Sequence, residues 1–558
     1  MFSLGRLSFM TVVSIWIAIA VKGIVAESLL EVHMLGCIKN RKSNNAVTFE
    51  VTLLNPNDTI VTGNIINYTN LVSTFTLNSK EIFIQRFDAA VEVIGSGLSR
   101  KGIKITSDGE LLVYASSSHI SQHDLGGYLS LPVRVQGNIY YVVTGKDNGV
   151  ILIVGVWSNT TVEVSLLTNY NVTYNDTVYV NGSIIMETLD EYSTMQIYST
   201  GDLTGTRINS SQTVSVFSGN RLSGTYPNMY HVVEQLPPLH LWGKTYVTAP
   251  PRNFTYHCKV TSSLPLTIVT YTCKGEARAF ALAETGSFET LNFEQEICLL
   301  TSTEPILVTM MINNDTALGS MTIMSPLDDV TGSLMTYVSR LLTNAEIVII
   351  SNTSLKMEPA SISPKFIECP SFLGYCITHL ENLTGNTVYT ITSGSGNDSF
   401  IASGFVHGQT ATDDSTAYPL LYHTSASSAY NGQMEKALSL DNKTTTLAPE
   451  FYQDVISNTD QNLQKAPEQC KCCSFKNYSM EEIANYTKSL KKELTVNPNT
   501  TSKYLRTLSS AEDQRISSKF IGYTAAIVLG TLGACLLIAD IGNILQMFRF
   551  IGRAFSNE

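Results

Sequence analysis

Between residues 45 and 425 the chain is a succession of short alternating runs rich in Val, Ile, Thr, Tyr and Ser, broken by Gly, Asn and Ser clusters. VEVSLL at 162–167 and VSVFSG at 214–219 are typical. A period of two puts alternate side chains on opposite faces of a strand, and no helical period is sustained before residue 430. Such a chain is confined to an all-β body. The runs also repeat. ITSDGELLVYASS (105–117) aligns with INSSQTVSVFSGN (208–220) through Ile105/Ile208, Ser107/Ser210, Leu111/Val214 and Val113/Val216. LLTSTEPILVTMM (299–311) continues the series with Ser302, Ile306 and Val308. GNIYYVV (137–143) aligns with GKTYVTA (243–249) through Gly137/Gly243 and Tyr140/Tyr246. A unit of about 90–105 residues is large enough for a small β-sandwich and too long for a solenoid repeat. This predicts tandem β-sandwich-like modules at 27–131, 132–238 and 239–328, with a divergent fourth at 329–425.

Both ends are apolar. Arg6, an apolar run at 9–21 and small residues up to Ala26 have the pattern of a secretory signal peptide, residues 1–26, an uncleaved anchor helix being the alternative. Residues 520–539 carry no charge over about the 20 residues that cross a bilayer, and Asp540 ends the run. Arg549 and Arg553 in the tail 541–558 fit a cytoplasmic end, and a polar tail beyond the run disfavours a lipid-anchor signal. The expectation is a single-pass type I plasma-membrane protein with its ectodomain outside, a transmembrane helix at 520–540 and a stalk at 426–519. A buried helix of a soluble domain is the alternative for the second run. In the stalk, EIANYTKSLKKEL reads as a short helix with Ser479 and Glu482 as a capping box. Gly522, Ala526, Gly530 and Ala534 form a small-residue ridge along which two membrane helices can approach.

Sequons for N-glycosylation lie at Asn57, Asn67, Asn159, Asn171, Asn175, Asn181, Asn209, Asn253, Asn314, Asn352, Asn382, Asn397, Asn442, Asn477, Asn485 and Asn499. The formal net charge is −11, two units more acidic once Arg6 and Lys22 leave with the signal. Nucleic acid is not expected as a partner of an acidic chain, and Lys491-Lys492 in the stalk is too small a basic cluster to bind it.

Ten cysteines are present, of which Cys535 lies in the membrane run. In an oxidising compartment most should pair. Cys258 and Cys273 each follow an aromatic–polar pair and flank a turn at Leu264-Pro265, which predicts a disulfide across a hairpin. Cys369 and Cys376 bracket PSFLGY, and Cys37 and Cys298 remain as a long-range pair. Cys470, Cys472 and Cys473 are an odd cluster in the stalk, pointing to an interchain bond and, with the ridge, a parallel homodimer; zinc is the rival and would need a fourth ligand.

Catalytic patterns are scarce. HISQHD, with His119, His123 and Asp124, lacks the Glu after the first His that a helical metalloprotease needs. There is no G-x-S-x-G elbow and no phosphate-binding loop; GSGLSRKG (95–102) reads as a turn, and Asp328-Asp329 as a solvated one. No enzyme, metal or cofactor is expected. Trp242, after Pro237-Pro238, is expected to anchor a module junction by burying its indole.

HVVEQLPPLHLWGKTYV (231–247) resembles a signature of the IgG Fc-binding protein N-terminal domain family. YLSLPVRVQGNIYYVV (128–143), GSMTIMSPLDD (319–329) and the segment 387–420, which runs to a Gly-Phe and a Tyr-Pro, are similar to further segments of that family. The resemblance covers roughly 30–425. KELTVNPNTTSKYLRTLSSAEDQRISSKFIGY resembles a juxtamembrane block of invertebrate type I surface proteins, so the chain reads as a membrane-anchored, invertebrate-like member. The family implies binding. Its best-known member, a secreted mucus glycoprotein, binds immunoglobulin Fc and continues into von Willebrand D-type modules, which this sequence lacks. No Fc-contact residue transfers. The expected role is a cell-surface recognition or adhesion glycoprotein for a protein or glycan ligand, in innate immunity or at mucosal surfaces; the alternative is a cell-coat or matrix component acting through self-association.

Overall fold

The computed structural model describes residues 31–40, 47–119, 125–225, 228–314, 317–327, 333–360, 364, 366–394, 402–410 and 415–420. Among them there are strands and three single-turn 3-10 helices, and no α-helix. The strands fall into four consecutive sets. The first holds β1 (Glu31–Leu35), β2 (Val47–Leu54), β3 (Val61–Asn67), β4 (Val72–Leu77), β5 (Ile82–Phe87), β6 (Gly97–Arg100), β7 (Ile103–Ser107), β8 (Leu112–His119) and β9 (Leu125–Ser130). The second holds β10 (Ile139–Tyr141), β11 (Gly149–Gly155), β12 (Thr160–Ser165), β13 (Val172–Tyr174), β14 (Thr177–Tyr179), β15 (Ile184–Leu189), β16 (Ser193–Tyr198), β17 (Arg207–Ser210), β18 (Val214–Thr225) and β19 (Asn228–Gln235). The third holds β20 (Gly243–Thr248), β21 (Thr255–Ser262), β22 (Thr267–Cys273), β23 (Glu276–Leu282), β24 (Phe288–Glu294), β25 (Cys298–Asn314) and β26 (Ala317–Ile323). The fourth holds β27 (Ser333–Val338), β28 (Asn344–Ser351), β29 (Leu355–Glu358), β30 (Phe366–Glu368), β31 (Cys376–Leu383), β32 (Thr387–Ser393), β33 (Ala402–Gln409) and β34 (Ser415–Pro419).

One antiparallel plan recurs in all four. The first set forms sheets β1-β7-β3-β4 and β5-β2-β8-β9; the second forms β10-β17-β12-β15 and β16-β11-β18-β19, with the hairpin β13-β14 beside them. In the third, the long strand β25 does the work of two: its first part lies between β20 and β22, its second between β21 and β26. The fourth forms β27-β32-β29 and β30-β31-β28-β33-β34. Each set thus contains a tandem pair that leaves one sheet and enters the next: β7/β8, β17/β18, the two parts of β25, and β32/β33.

The sequence repeat marks this crossing. The aligned serines each donate to the carbonyl two residues on: Ser107 Oγ to Gly109 O at 2.7 Å, Ser210 Oγ to Gln212 O at 2.6 Å and Ser302 Oγ to Glu304 O at 2.6 Å. Such hydroxyl-closed turns bend the chain where the ladder changes partner. The Gly/Tyr marker braces the same point. Tyr140 accepts from Gly137 N–H and donates to Val214 O at 2.7 Å; Tyr246 accepts from Gly243 N–H and donates to Ile306 O at 2.6 Å. Both rings are buried.

The sets are not separate beads. β11 is buried on both faces: Ile151 and Ile153 join one core while Val150, Leu152 and Val154 join the core of the first set. β28 divides in the same way, Ile347 and Ile349 against Val348 and Ile350. Strands buried on both faces read as continuous apolar runs, as GVILIVG and EIVIIS do. The segment 95–102 departs from the turn expected of it: β6 pairs with β16 and so joins the first set to a sheet of the second. Its Gly97 pairs in the strand at φ 154, a backbone conformation that L side chains rarely adopt, which favours glycine there.

Candidate interaction surface

The last strand of each set ends a sheet, and the four last strands pack in a closed ring: β9 against β19 and β34, β26 against β19 and β34. Small residues allow the approach. A Cβ on Gly126 of β9 would sit 2.6 Å from the His231 ring of β19, and Gly127 lies beside Thr416 of β34. The ring is buried and mixes apolar residues such as Tyr128, Val233 and Met321 with polar ones, among them His231, Glu234 and Thr322. Gln235 Oε1 accepts from Leu131 N–H at 2.9 Å, tying β19 to the end of β9. Burial pushes the Glu234 carboxyl well above its usual range, which the neighbouring Thr322 hydroxyl only partly opposes, and pushes the His231 imidazole down to about 4. The imidazole is therefore neutral at pH 7.

Buried ion pairs lock one set to another. Lys259 donates to Thr144 O at 2.6 Å, to Thr204 Oγ1 at 3.0 Å and to the Asp202 carboxylate, joining the third set to the second. Burial lowers its ammonium and Asp202 opposes the shift. Glu50, only 2 % exposed, receives Arg86 Nε at 3.0 Å and Arg340 Nε at 2.9 Å, joining the first set to the fourth. Tyr114 adds an edge-on contact with Tyr418 across the same seam. Glu346 takes His379 Nδ1 at 2.5 Å and Arg252 N–H at 2.9 Å between the fourth and third. A charge inside a buried strand, such as Glu50 in VTFEVTLL or Lys259 in TYHCKVTS, was the sequence signal for these locks, and periodicity alone passes over it.

An open depression of about 600 Å³ is lined by Arg340, Thr343, Asn344, Asn382 and neighbours, and Arg340 is already held by Glu50. A small enclosed space lies among Tyr114, Tyr128, Tyr337 and Tyr418, whose phenols burial raises and keeps protonated. Neither sets a carboxylate or imidazole beside a nucleophile. Accessible apolar surface lies on the outside instead. It concentrates between residues 167 and 186, where Leu167, Tyr170, Val178, Val180, Ile184 and Met186 are exposed, Met186 to 67 %. Leu71 and Val72, at the start of β4, are exposed as well.

Trp242 is buried where β19 hands over to β20, its Nε1 donating to Pro237 O at 3.3 Å and its ring edge-on to Tyr141 at 6.0 Å. Two disulfide expectations need correction. Cys273 is bonded to Cys298, not to Cys258, because β21 and β22 do not fold back on each other; they run along different parts of β25, and the register sets Cys273 opposite Cys298. Cys258 faces Met310 and Leu291 and is a buried thiol. Cys37, on the first set and bridged to Glu92, is also a buried thiol, whose partner Cys298 is taken. Cys369 and Cys376 are bonded to each other. Asn159, Asn171, Asn175, Asn181, Asn253, Asn352 and Asn382 are exposed, and Asn57, Asn67 and Asn209 half-buried. The side chains of Asn314 and His119, and all of Asn397, Asn442, Asn477, Asn485, Asn499, His123, Asp124, Asp328, Asp329, Cys470, Cys472, Cys473, Cys535 and the ridge Gly522, Ala526, Gly530 and Ala534, lie outside the described residues. So do the signal segment, the stalk and the apolar run at 520–540.

Fold and surface together define an all-β protein of four like strand sets closed around a common ring, with its apolar access on the outside. Residues 126–400 match the IgGFc binding protein family, and this region of the chain carries that family's domain. The match begins at β9, later than the expected 30–425 span. A human IgGFc-binding protein is 29 % identical over 183 residues, which is 32 % of this chain and 3 % of that protein. The chain therefore spans a small fraction of its relative. Among solved structures, a bacterial ice-binding adhesin (8 % identity, 52 % of this chain and 95 % of that one, TM-score 0.11) and the major pilin of Streptococcus pyogenes (9 %, 70 % and 97 %, TM-score 0.12) are too distant to bear on the fold.

Proposed function

We propose that the protein is a membrane-anchored cell-surface glycoprotein that recognises an extracellular protein or glycan and catalyses nothing. One observation carries this reading. The segments by which the chain resembles its family, around 128–143, 231–247, 319–329 and 387–420, end in the strands of the buried ring and their junctions, so they build the scaffold and leave the outward turns and strand edges to meet a partner. The leader at 1–26 and the apolar run at 520–540 supply the surface placement. The test is a screen of the soluble 27–425 fragment against protein and glycan arrays, immunoglobulin Fc included. A saturable ligand whose binding falls when Val178 or Met186 is made Asp is expected; no saturable ligand on any array overturns the reading.

A second reading, a cell-coat component that associates with itself, is favoured by the exposed apolar residues Val72 of β4 and Ile184 and Met186 of β15. The stalk cysteines and the membrane ridge would then hold the chain as a parallel dimer, and a non-reducing gel of the full-length protein reads that directly.

A further inference from the structure

Four of the strands that end sheets away from the ring are β4, β15, β23 and β29. An outer edge presents unshared backbone donors and acceptors to any other strand, and proteins blunt such edges with charge, proline or a cover. Two of the four are blunted by charge. β23 exposes Glu276 and Arg278; β29 exposes Lys356 and Glu358 and runs into Pro359. The other two are not. β4 reads VSTFTL, with Val72, Thr74 and Thr76 exposed. β15 reads IIMETL, with Ile184, Met186 and Thr188 exposed; its one charge, Glu187, is half-buried and held by the Tyr174 hydroxyl at 3.0 Å. No described strand pairs with the outer edge of either.

Sequons stand beside these two bare edges. Asn67 closes the hairpin into β4: its Oδ1 accepts from Thr69 N–H at 3.0 Å and Leu71 N–H at 3.1 Å. Asn181 is exposed at the turn into β15, with its Oδ1 taken by Thr168 N–H. Asn171 and Asn175 flank β13 in the hairpin whose Tyr174 reaches β15. Asn175 is exposed at φ 45, a left-handed conformation that Asn tolerates, and its Nδ2 donates to Glu187 Oε1 at 3.4 Å. We propose that N-linked glycans on Asn67, Asn171, Asn175 and Asn181 guard the β4 and β15 edges, and that an unguarded edge pairs with a second copy of this chain. Each glycan is joined by a bond between the Asn Nδ2 and the first sugar, transferred from a lipid-linked oligosaccharide with the lipid phosphate as leaving group. A bulky hydrated chain beside the edge keeps a second strand from approaching, as charge does on β23 and β29. The inference goes beyond ligand recognition and does not depend on which ligand is bound.

The experiment uses the secreted ectodomain, folded and glycosylated, then trimmed by an endoglycosidase to one sugar per site. Mass spectrometry should find the four sites occupied. Light scattering should give a monomer before trimming and a mass rising with concentration after it. Trimmed protein carrying Val72→Lys and Met186→Lys should stay monomeric, charge replacing the glycan. Empty sites, a trimmed ectodomain that stays monomeric, or association unchanged by the two lysines would each overturn the proposal. Ligand binding by the untrimmed monomer is read separately, so a missing ligand does not count against the guard.

Discussion

The strands that end sheets toward the middle, β9, β19, β26 and β34, and four that end sheets away from it, β4, β15, β23 and β29, carry the same liability of unshared backbone groups. The inner four solve it by packing on one another, with glycines at 126 and 127 to permit the approach. Of the outer four, β23 and β29 solve it by charge, while β4 and β15 leave it open along their own sequence. The difference teaches where sequence is constrained. Inner strands need small and neutral residues at fixed places; outer strands need only something that repels a neighbour.

The contrast can be broken from the inside first. Arg340→Ala leaves Glu50 buried with Arg86 as its remaining partner, and the loss should approach, without reaching, the roughly 3–5 kcal/mol that an uncompensated buried charge costs; chemical denaturation of the ectodomain should show it. Next comes acid. The folded His231 takes its proton only near pH 4, while an unfolded one does so near 6.5. Its depressed value makes stability fall as pH drops from 6.5 toward 4, by roughly 3 kcal/mol in all, and His231→Asn should flatten that limb of a stability–pH curve. Gly126→Ala drives a Cβ onto the His231 ring, an overpacking that costs about 1–3 kcal/mol, read as a lower denaturation midpoint. Glu234→Gln runs the other way. The wild-type carboxyl prefers its proton in the fold, so its contribution is complete below its usual value of 4.5 and lost as pH rises. The variant should melt higher at pH 7, with the gap closing as pH falls toward 4.5. Outside, Met186→Ser should change stability by less than about 0.5 kcal/mol, a null result in melting that sharpens any change in ligand binding.

The all-β character was legible from alternation, and the crossing between sheets was legible from the aligned serines Ser107, Ser210 and Ser302, because a local turn needs local chemistry. The cysteine partners were not. A turn at Leu264-Pro265 is consistent with a hairpin, and only the path of β25 shows that the strands on either side belong to different ladders. The 95–102 segment was misleading for the same reason: Gly and Arg spell a turn locally, while its pairing with β16 is made across the boundary of two sets. The Glu50–Arg340 and Lys259–Asp202 locks and the closure of β34 on β9 join residues far apart in the chain, where periodicity is silent. The resemblance segments were found, but their common destination in one buried ring appears only when the four strands are seen together.

The Glu50–Arg340 lock spans 290 residues of chain. At roughly 5–20 residues per second, translation delivers Arg340 about 15–60 s after Glu50. During that interval the first set emerges with its buried acid half-answered and its ring face bare. Completion of the molecule is thus timed by the last strand to be made, and the newborn chain offers a nascent-chain chaperone a window in which the first set waits for the fourth.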